Sequence, residues 1–378
     1  MDIDIEKVNT YEKFLEQEGL PVIRDYSVPD LMAAPLRPWA RKGGLGAYIN
    51  LIGAEGTTDA YICEIPPGKS LLPQRHLYEE LIYILSGSGA TTVWVEDSKK
   101  QSFEWQEGSL FAPPLNTWHQ HFNGQTNDPV RYVAVTRAPV FINLVHNLNF
   151  IFNNNYVFED RYIGEEDFFS SQGKSFEDKF YGDINTWECN FIPDCRKFKL
   201  EKETEGGMGE ISFAFFEMSN NILSVHIGEE PVGTYKKAHY HGPGAHLLCL
   251  AGQGYDLWWP AEGGIMAEGV ERIKIDWQKN TIISPPDRWF HQHFVTSKDP
   301  SLMVAFHAER SHKYAGVRKD YGSSGKDGVY IDLARLSTKR GGTQIDYEDE
   351  DPAIRQLFKE ELAKTGAPYR MSKYFPGE

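Results

Sequence analysis

Two stretches of the chain decide its fold: APPLNTWHQHFN at Ala112–Asn123 and SPPDRWFHQHFV at Ser284–Val295. Six of their twelve positions are identical, two prolines followed by His-Gln-His-Phe, and the second copy lies 172 residues after the first. Upstream of each, PGKSLLPQRHLYEELIYILSGSG (Pro67–Gly89) runs parallel to VGTYKKAHYHGPGAHLLCLAGQG (Val232–Gly254) at an offset of 165. That offset aligns Gly68 with Gly233, His76 with His241, Gly87 with Gly252 and Gly89 with Gly254. Trp94 and Trp105 then fall on Trp259 and Trp277. The offset grows from 165 to 172, so the second copy carries seven extra residues; they fit WPAEGGIMAEGVER (Trp259–Arg272), where Gly and Pro mark a surface turn. Two blocks in the same order, each with histidines at matching places, indicate a duplicated domain rather than a chance tetrapeptide.

The local patterns around the repeats are β. LIYILSG, ATTVWVE, RYVAVT, HLLCLAG and LMVAFHA are short β-branched and aromatic runs bounded by Gly, Pro, Asn or Asp. Many such runs at close spacing imply an all-β chain of barrels or sandwiches. Helical patterning lies outside the repeats. Tyr11–Glu18 is one candidate. DPAIRQLFKEELAKTG is the stronger one, with Asp351 as cap, Pro352 at its first position and Gly366 to end it. Residues 140–205, rich in Phe, Asn and Asp, read as a connection with structure of its own.

At 378 residues the chain can bury a large core without disulfides or a structural metal. Its formal net charge of −15 argues against nucleic acid and against anionic membranes as partners. Cys63, Cys189, Cys195 and Cys249 show no CxxC spacing and are expected to be reduced. The acidic, polar start lacks a leader pattern, no run approaches a membrane span, and there is no N-x-S/T sequon. A cytoplasmic location is the expectation.

The chemistry-bearing residues fall within the repeats. In the first copy, Gln74 and His76 share one strand face, Glu80 enters after a short turn, and His119 follows a Pro-Pro-Leu-Asn turn. Two imidazoles, a carboxylate and an amide oxygen suit a divalent transition metal, and His76, Glu80 and His119 have the ligand types of a two-His-one-carboxylate iron site. In the second copy, His239, His241 and His291 occupy the matching places. His246 lies one residue beyond Ala245, the match for Glu80, and the Gly242-Pro243-Gly244 turn leaves it room to reach inward. That set is free of carboxylate and would favour direct binding of an anionic substrate or enolate; iron(II), manganese, nickel, copper and zinc all remain open. A lone histidine in a strand is more often core or surface than ligand. Here five of the chain's 12 histidines crowd into HYHGPGAH and WFHQH at repeat-equivalent places. His121 and His293, on the strand face of His119 and His291, are candidate acid-base groups, with satisfaction of buried backbone groups the competing reading. Arg288 could pair a substrate carboxylate; an exposed, solvated arginine is its competing reading. Trp94, Phe111, Trp118 and Phe122 flank the first site in sequence, and Trp258, Trp259, Trp289 and Phe290 the second, as pocket walls or as core. There is no phosphate-binding glycine loop and no G-x-S-x-G elbow.

The blocks resemble the two motifs of the cupin superfamily. Gly68, Gln74, His76, Glu80 and Gly87 match its first motif, with Gln in the first His place; Gly233, His239, His241 and Gly252 match it in the second copy, with His246 in the Glu place at a longer spacing. Gly108, Pro114, His119 and Asn123 match its second motif, with Asn116 for the middle Gly. The second copy keeps Pro286 and His291 but has Asn280, Arg288 and Val295 at the other places. The resemblance implies a two-domain cupin: tandem antiparallel jelly-roll (double-stranded β-helix) barrels at 45–138 and 210–308, each with a metal position inside. Around them lie an N-terminal extension (1–44), an inter-domain connection (139–209) and a C-terminal extension (309–378) with a helix near 352–365.

Cupins include dioxygenases, decarboxylases, isomerases, storage proteins and sensors, so fold alone does not give the reaction. The carboxylate-free second site resembles gentisate-type and three-His cupin dioxygenases. This implies an iron(II) dioxygenase acting on a small chelating aromatic, dicarbonyl or hydroxy-acid substrate with O2, in a homo-oligomer. The oxalate decarboxylases of the family carry three His and one Glu per domain, a set neither copy has. A manganese or zinc decarboxylase, lyase or isomerase is the alternative, and a non-enzymatic ligand-binding or storage protein the second alternative.

Overall fold

The computed structural model describes residues 9–54, 56–96, 99–177, 185–202, 209–261, 272–308, 322–324 and 330–375. The β-branched runs become two units of eight strands. The first holds β1 (Gly44–Ile49), β2 (Asp59–Ile65), β3 (Glu80–Ser86), β4 (Ser88–Trp94), β5 (Gln101–Gln106), β6 (Leu110–Phe111), β7 (Trp118–Asn123) and β8 (Val130–Thr136). The second holds β9 (Ser212–Glu217), β10 (Ser224–Glu230), β11 (His246–Ala251), β12 (Gln253–Pro260), β13 (Ile273–Gln278), β14 (Ile282–Ile283), β15 (Trp289–Val295) and β16 (Ser301–His307). In each unit a larger sheet, β1-β2-β8-β3-β6 or β9-β10-β16-β11-β14, faces a three-stranded one, β7-β4-β5 or β15-β12-β13. Both are antiparallel jelly-roll barrels. The duplication persists in the register: Ile82 pairs with Phe111 in the first barrel and Leu247 with Ile283 in the second, at the sequence offsets of 165 and 172.

Side chains alternate across each strand. From β3, Leu81, Tyr83 and Leu85 join Val225, Ile227, Leu248, Leu250, Val304 and Phe306 of the other barrel in one core between the two large sheets. Ile82 and Ile84 of the same strand turn inward, to Tyr61, Trp105, Phe111 and Tyr132.

The segments outside the repeats are built into these sheets. Ser27–Val28, from before the first barrel, pairs with β14 of the second. Phe191–Ile192, from before the second barrel, pairs with β6 of the first. Since β6 and β14 are equivalent strands, the two barrels exchange edge strands reciprocally. The connection also carries helices at Ala138–Val145 and Leu148–Asn153.

Helices at Thr10–Glu18 and Pro352–Thr365 form the terminal extensions. Asp351 accepts from the Ala353 N–H at 2.9 Å, and Gly366 ends the second helix in the left-handed region at φ 70°. Its buried face of Ile354, Phe358 and Leu362 covers the second barrel at Tyr235, Tyr255 and Phe294. Of the expected insertion loop, 262–271 lie outside the described residues. All four cysteines are buried free thiols. Among the described residues no helix is long and apolar enough to cross a membrane.

Candidate metal centres

In the first barrel the segment leading into β3 is clamped to β7 by reciprocal backbone bonds between Gln74 and His119, 2.8 and 2.9 Å. This brings His76, Glu80 and His119 together. His76 Nδ1 donates to Tyr78 O at 2.8 Å and His119 Nδ1 to Thr117 O at 3.0 Å. A carbonyl can only accept, so Nδ1 carries a proton, and in the neutral ring Nε2 keeps its lone pair. Those Nε2 atoms lie 3.4 and 3.8 Å from Glu80 Oε2. All three atoms are buried without a hydrogen-bond partner. Orphaned acceptors of this kind cost about 1–3 kcal/mol each, and a divalent ion would satisfy all three.

Glu80 is anchored from behind. Tyr61 OH donates to Glu80 Oε1, and Lys42 Nζ, itself 1 % exposed, donates to Tyr61 at 2.6 Å. Burial acts to raise the Glu80 carboxyl, but the Lys42 ammonium and then the adjoining His76 outweigh it and hold it well below the usual range. Burial, then the neighbouring His76, holds His119 well below the ordinary histidine value, so it is neutral at physiological pH.

Gln74 does not join this group. Its Oε1 accepts from Arg41 Nη1 at 2.8 Å and its Nε2 donates to Arg41 O at 3.0 Å, so both ends of the amide are engaged by Arg41.

In the second barrel His239, His241 and His291 converge. Each Nδ1 again donates to a main-chain carbonyl: His239 to Lys237 O at 3.0 Å, His241 to Gly242 O at 3.0 Å, His291 to Trp289 O at 3.1 Å. The rings of His239 and His241 lie 4.4 and 4.8 Å from that of His291. Burial, then adjoining imidazoles, holds His239 and His291 well below the histidine range. Neutral imidazole is the metal-binding form. Among the described residues no carboxylate joins the triad. His239 and His291 are buried while His241 is half-buried, so this centre has a solvent-facing side; all three residues of the first are buried.

His246 belongs to neither centre. It is the first residue of β11, and the pairing of Leu247 with Ile283 fixes it on the face of Leu248 and Leu250, toward the other barrel. There Thr58 Oγ1 lies 3.3 Å from its Nδ1. The turn that was to swing it inward has no freedom to do so once the strand has begun.

Arg288 is also away from the chemistry, its side chain 76 % exposed beside Asp287. It occupies the left-handed region at φ 54°, as Asn116 does at 56°; Asn280 at 70° and Gly108 at 92° form the other equivalent pair. The drifted motif positions thus keep the backbone of the turn. The alternating burial of β7 sends His119 and His121 inward and Trp118 and Phe122 outward. Trp94 stacks on Trp118 on that outer face, centroids 6.0 Å apart. Trp258 and Phe111 are interior core.

Three inward-facing groups of the second barrel carry no motif. His226 and His307, on β10 and β16, meet at 2.8 Å (Nδ1 to Nε2), with the His307 ring 6.2 Å from His241. Asp256, fully buried on β12, lies 2.8 Å from His293 Nδ1.

Residues 61–136, which span β2 to β8 and hold the first centre, match the family model of the Cupin domain. The first barrel is a cupin domain. The second barrel repeats the strand order of this unit. Similar solved structures include an oxalate decarboxylase (14 % identity, 77 % of this chain and 78 % of that one, TM-score 0.47). Another is Bacillus subtilis oxalate decarboxylase, described with Mn(II) centres (14 %, 77 % and 78 %, TM-score 0.46). A third is vicilin from Corylus avellana, hazelnut (12 %, 74 % and 84 %, TM-score 0.46). No curated protein matches the sequence.

Proposed function

We propose that this cupin protein is a metal-dependent oxidoreductase, an iron(II) dioxygenase of a small chelating substrate, with the second barrel as the reacting site. The observation that carries this reading is the carboxylate-free triad of His239, His241 and His291, each with Nδ1 turned to a main-chain carbonyl and one member half-buried. A bound iron(II) would supply coordination positions for substrate oxygens and for O2 and the electrons that activate O2. The residues supply the rest. Three backbone carbonyls lock the imidazole tautomers. The absence of a carboxylate from the triad leaves an anionic hydroxy-carbonyl or diketone as the group that balances the ion's charge. The half-buried side at His241 admits it. The expected substrates are hydroxylated aromatics, diketones or hydroxy acids.

A second reading, a manganese, nickel or zinc decarboxylase, lyase or isomerase, is favoured by the first centre. There Glu80 is a charged ligand backed by Tyr61 and Lys42. It suits an ion used as a Lewis acid.

Metal analysis of protein purified without added metal or chelator separates these readings. About one iron per chain, with O2 uptake on hydroxylated aromatics or diketones, supports the first. Manganese, nickel or zinc without O2 uptake moves the assignment to the second. No metal, and none recovered on reconstitution, removes both. In the double variant His241→Ala, His291→Ala the metal of the second barrel should be lost; unchanged metal content would overturn this placement.

A further inference from the structure

The two barrels treat their equivalent inner histidines differently. In the first, His121 lies 2.8 Å from the hydroxyl of Thr91, which accepts from the Trp105 indole at 2.8 Å. The second barrel has Asp256, His293 and Trp277 at the matching places. Asp256 Oδ1 accepts from Trp277 Nε1 at 2.8 Å, and Oδ2 from Trp258 Nε1 at 2.9 Å. His293 Nδ1 lies 2.9 Å from Oδ1 and 2.8 Å from Oδ2. Asp256 is 0 % exposed.

Burying a carboxylate is far more costly than burying a threonine hydroxyl, and it persists only where donors meet it. Here three N–H groups do, two of them from indoles that have no other protonation state. An ionised carboxylate accepts only, so His293 donates from Nδ1, and in the neutral ring Nε2 is then the acceptor. His293 shares the inner face of β15 with His291, ring centroids 5.7 Å apart, and lies 6.3 Å from His239. Each barrel therefore buries a carboxylate close to its histidines. In the first, Glu80 is inside the ligand group; in the second, Asp256 stands one imidazole behind it.

We infer that Asp256 is a positioning residue of the second barrel: it fixes His293 in the tautomer whose Nε2 accepts a hydrogen bond from a hydroxyl of the chelating ligand beside the triad. The ligand class is then narrower than any chelator. It is an enol, phenol or hydroxy acid that binds beside the ion with one O–H retained. The inference deepens the dioxygenase reading and rests on it for the ligand, whereas the tautomer is a property of the protein itself.

The test has two parts. In metal-free protein labelled with 15N-histidine, two-bond spectra should show His293 protonated on Nδ1, assigned by its loss in His293→Asn. In Asp256→Asn the amide can present its NH2 to Nδ1, and the proton should move to Nε2. In cobalt(II)-loaded protein, followed by visible absorption, Asp256→Asn should weaken 4-nitrocatechol about tenfold or more and leave acetylacetonate, which has no hydroxyl once bound, within about twofold. Cobalt content per chain should stay unchanged. Should Asp256→Asn fail to fold, Asp256→Thr copies the residue of the first barrel and should show the same loss of discrimination. An Nε2–H tautomer in the wild type, or equal weakening of both probes, overturns the inference. Absence of cobalt from the second barrel of the wild type, with the Nδ1–H tautomer present, instead overturns the metal reading and leaves the Asp256 clamp standing.

Discussion

One position of register separates His246 from the place of Glu80, and in a strand one position means the opposite face. Ala245, not His246, aligns with Glu80, and the inward side of β11 holds Leu247 and Cys249. Burial lowers His246 to about 4, against an ordinary value of about 6.5. The folded value lies below the unfolded one, so the stability tied to neutral His246 is complete above pH 6.5 and is lost as pH falls toward 4, on the order of 3 kcal/mol in all. His246→Leu, which copies Leu81, should flatten the melting-temperature profile between pH 6.5 and 4 relative to wild type and leave metal content unchanged. Loss of one metal per chain in that variant would return His246 to the ligand set. At this scale the sequence is legible where partners are close in the chain: HYH and HQH announce themselves by spacing. Asp256 stands alone in YDLWWP and meets His293 only through the β12–β15 register, as Lys42 meets Glu80 only through Tyr61. No spacing rule reaches such pairs, because strand register is set by packing of the whole barrel.

In the turn before the second HQHF strand the residues have drifted from the motif, with Asn280 and Arg288 at its two glycine places. The backbone shows it retained: all four residues have positive φ. Asparagine tolerates this region, while for arginine it costs about 1–2 kcal/mol. The strain sits next to the ligands, with the Arg288 N–H donating to His241 O at 3.4 Å. Arg288→Gly should relieve it, offset in part by the freer unfolded chain, for a net gain of about 0.5–1 kcal/mol and a slightly higher melting temperature. Calorimetry gives the stability, and nitrocatechol titration of the cobalt form gives the site. A fall in affinity without a gain in stability would make Arg288 a substrate-binding group after all. The β runs and both terminal helices were legible as elements, because periodicity and caps lie within them. The edge strands Ser27–Val28 and Phe191–Ile192 were not, since two residues carry no period and their partners lie in the opposite barrel.

The two barrels are joined by more than a connection. Leu81, Tyr83 and Val133 of one and Phe216, Val225, Leu248 and Phe306 of the other share a single core, and each barrel lends the other an edge strand. Glu79 adds a polar tie, accepting from the Ile222 N–H at 2.8 Å and the Leu223 N–H at 2.9 Å across that boundary. A barrel parted from its partner would expose one whole face of its large sheet and leave β6 or β14 as an open edge, so neither half has a complete core alone. Both candidate centres adjoin those same sheets: Glu80 begins β3, whose other face joins the shared core, and His239 and His241 sit on the segment that leads into β11, whose Leu248 and Leu250 belong to that core. Disturbance of the boundary must therefore reach both centres together. Phe306→Ala, at a fully buried position of that core, should cost about 3–5 kcal/mol. Calorimetry should still show one transition, shifted several degrees down, with metal released from both barrels across it. Two resolved transitions, one at the wild-type temperature, would mean that the barrels are independent domains and that the shared core is contact rather than coupling.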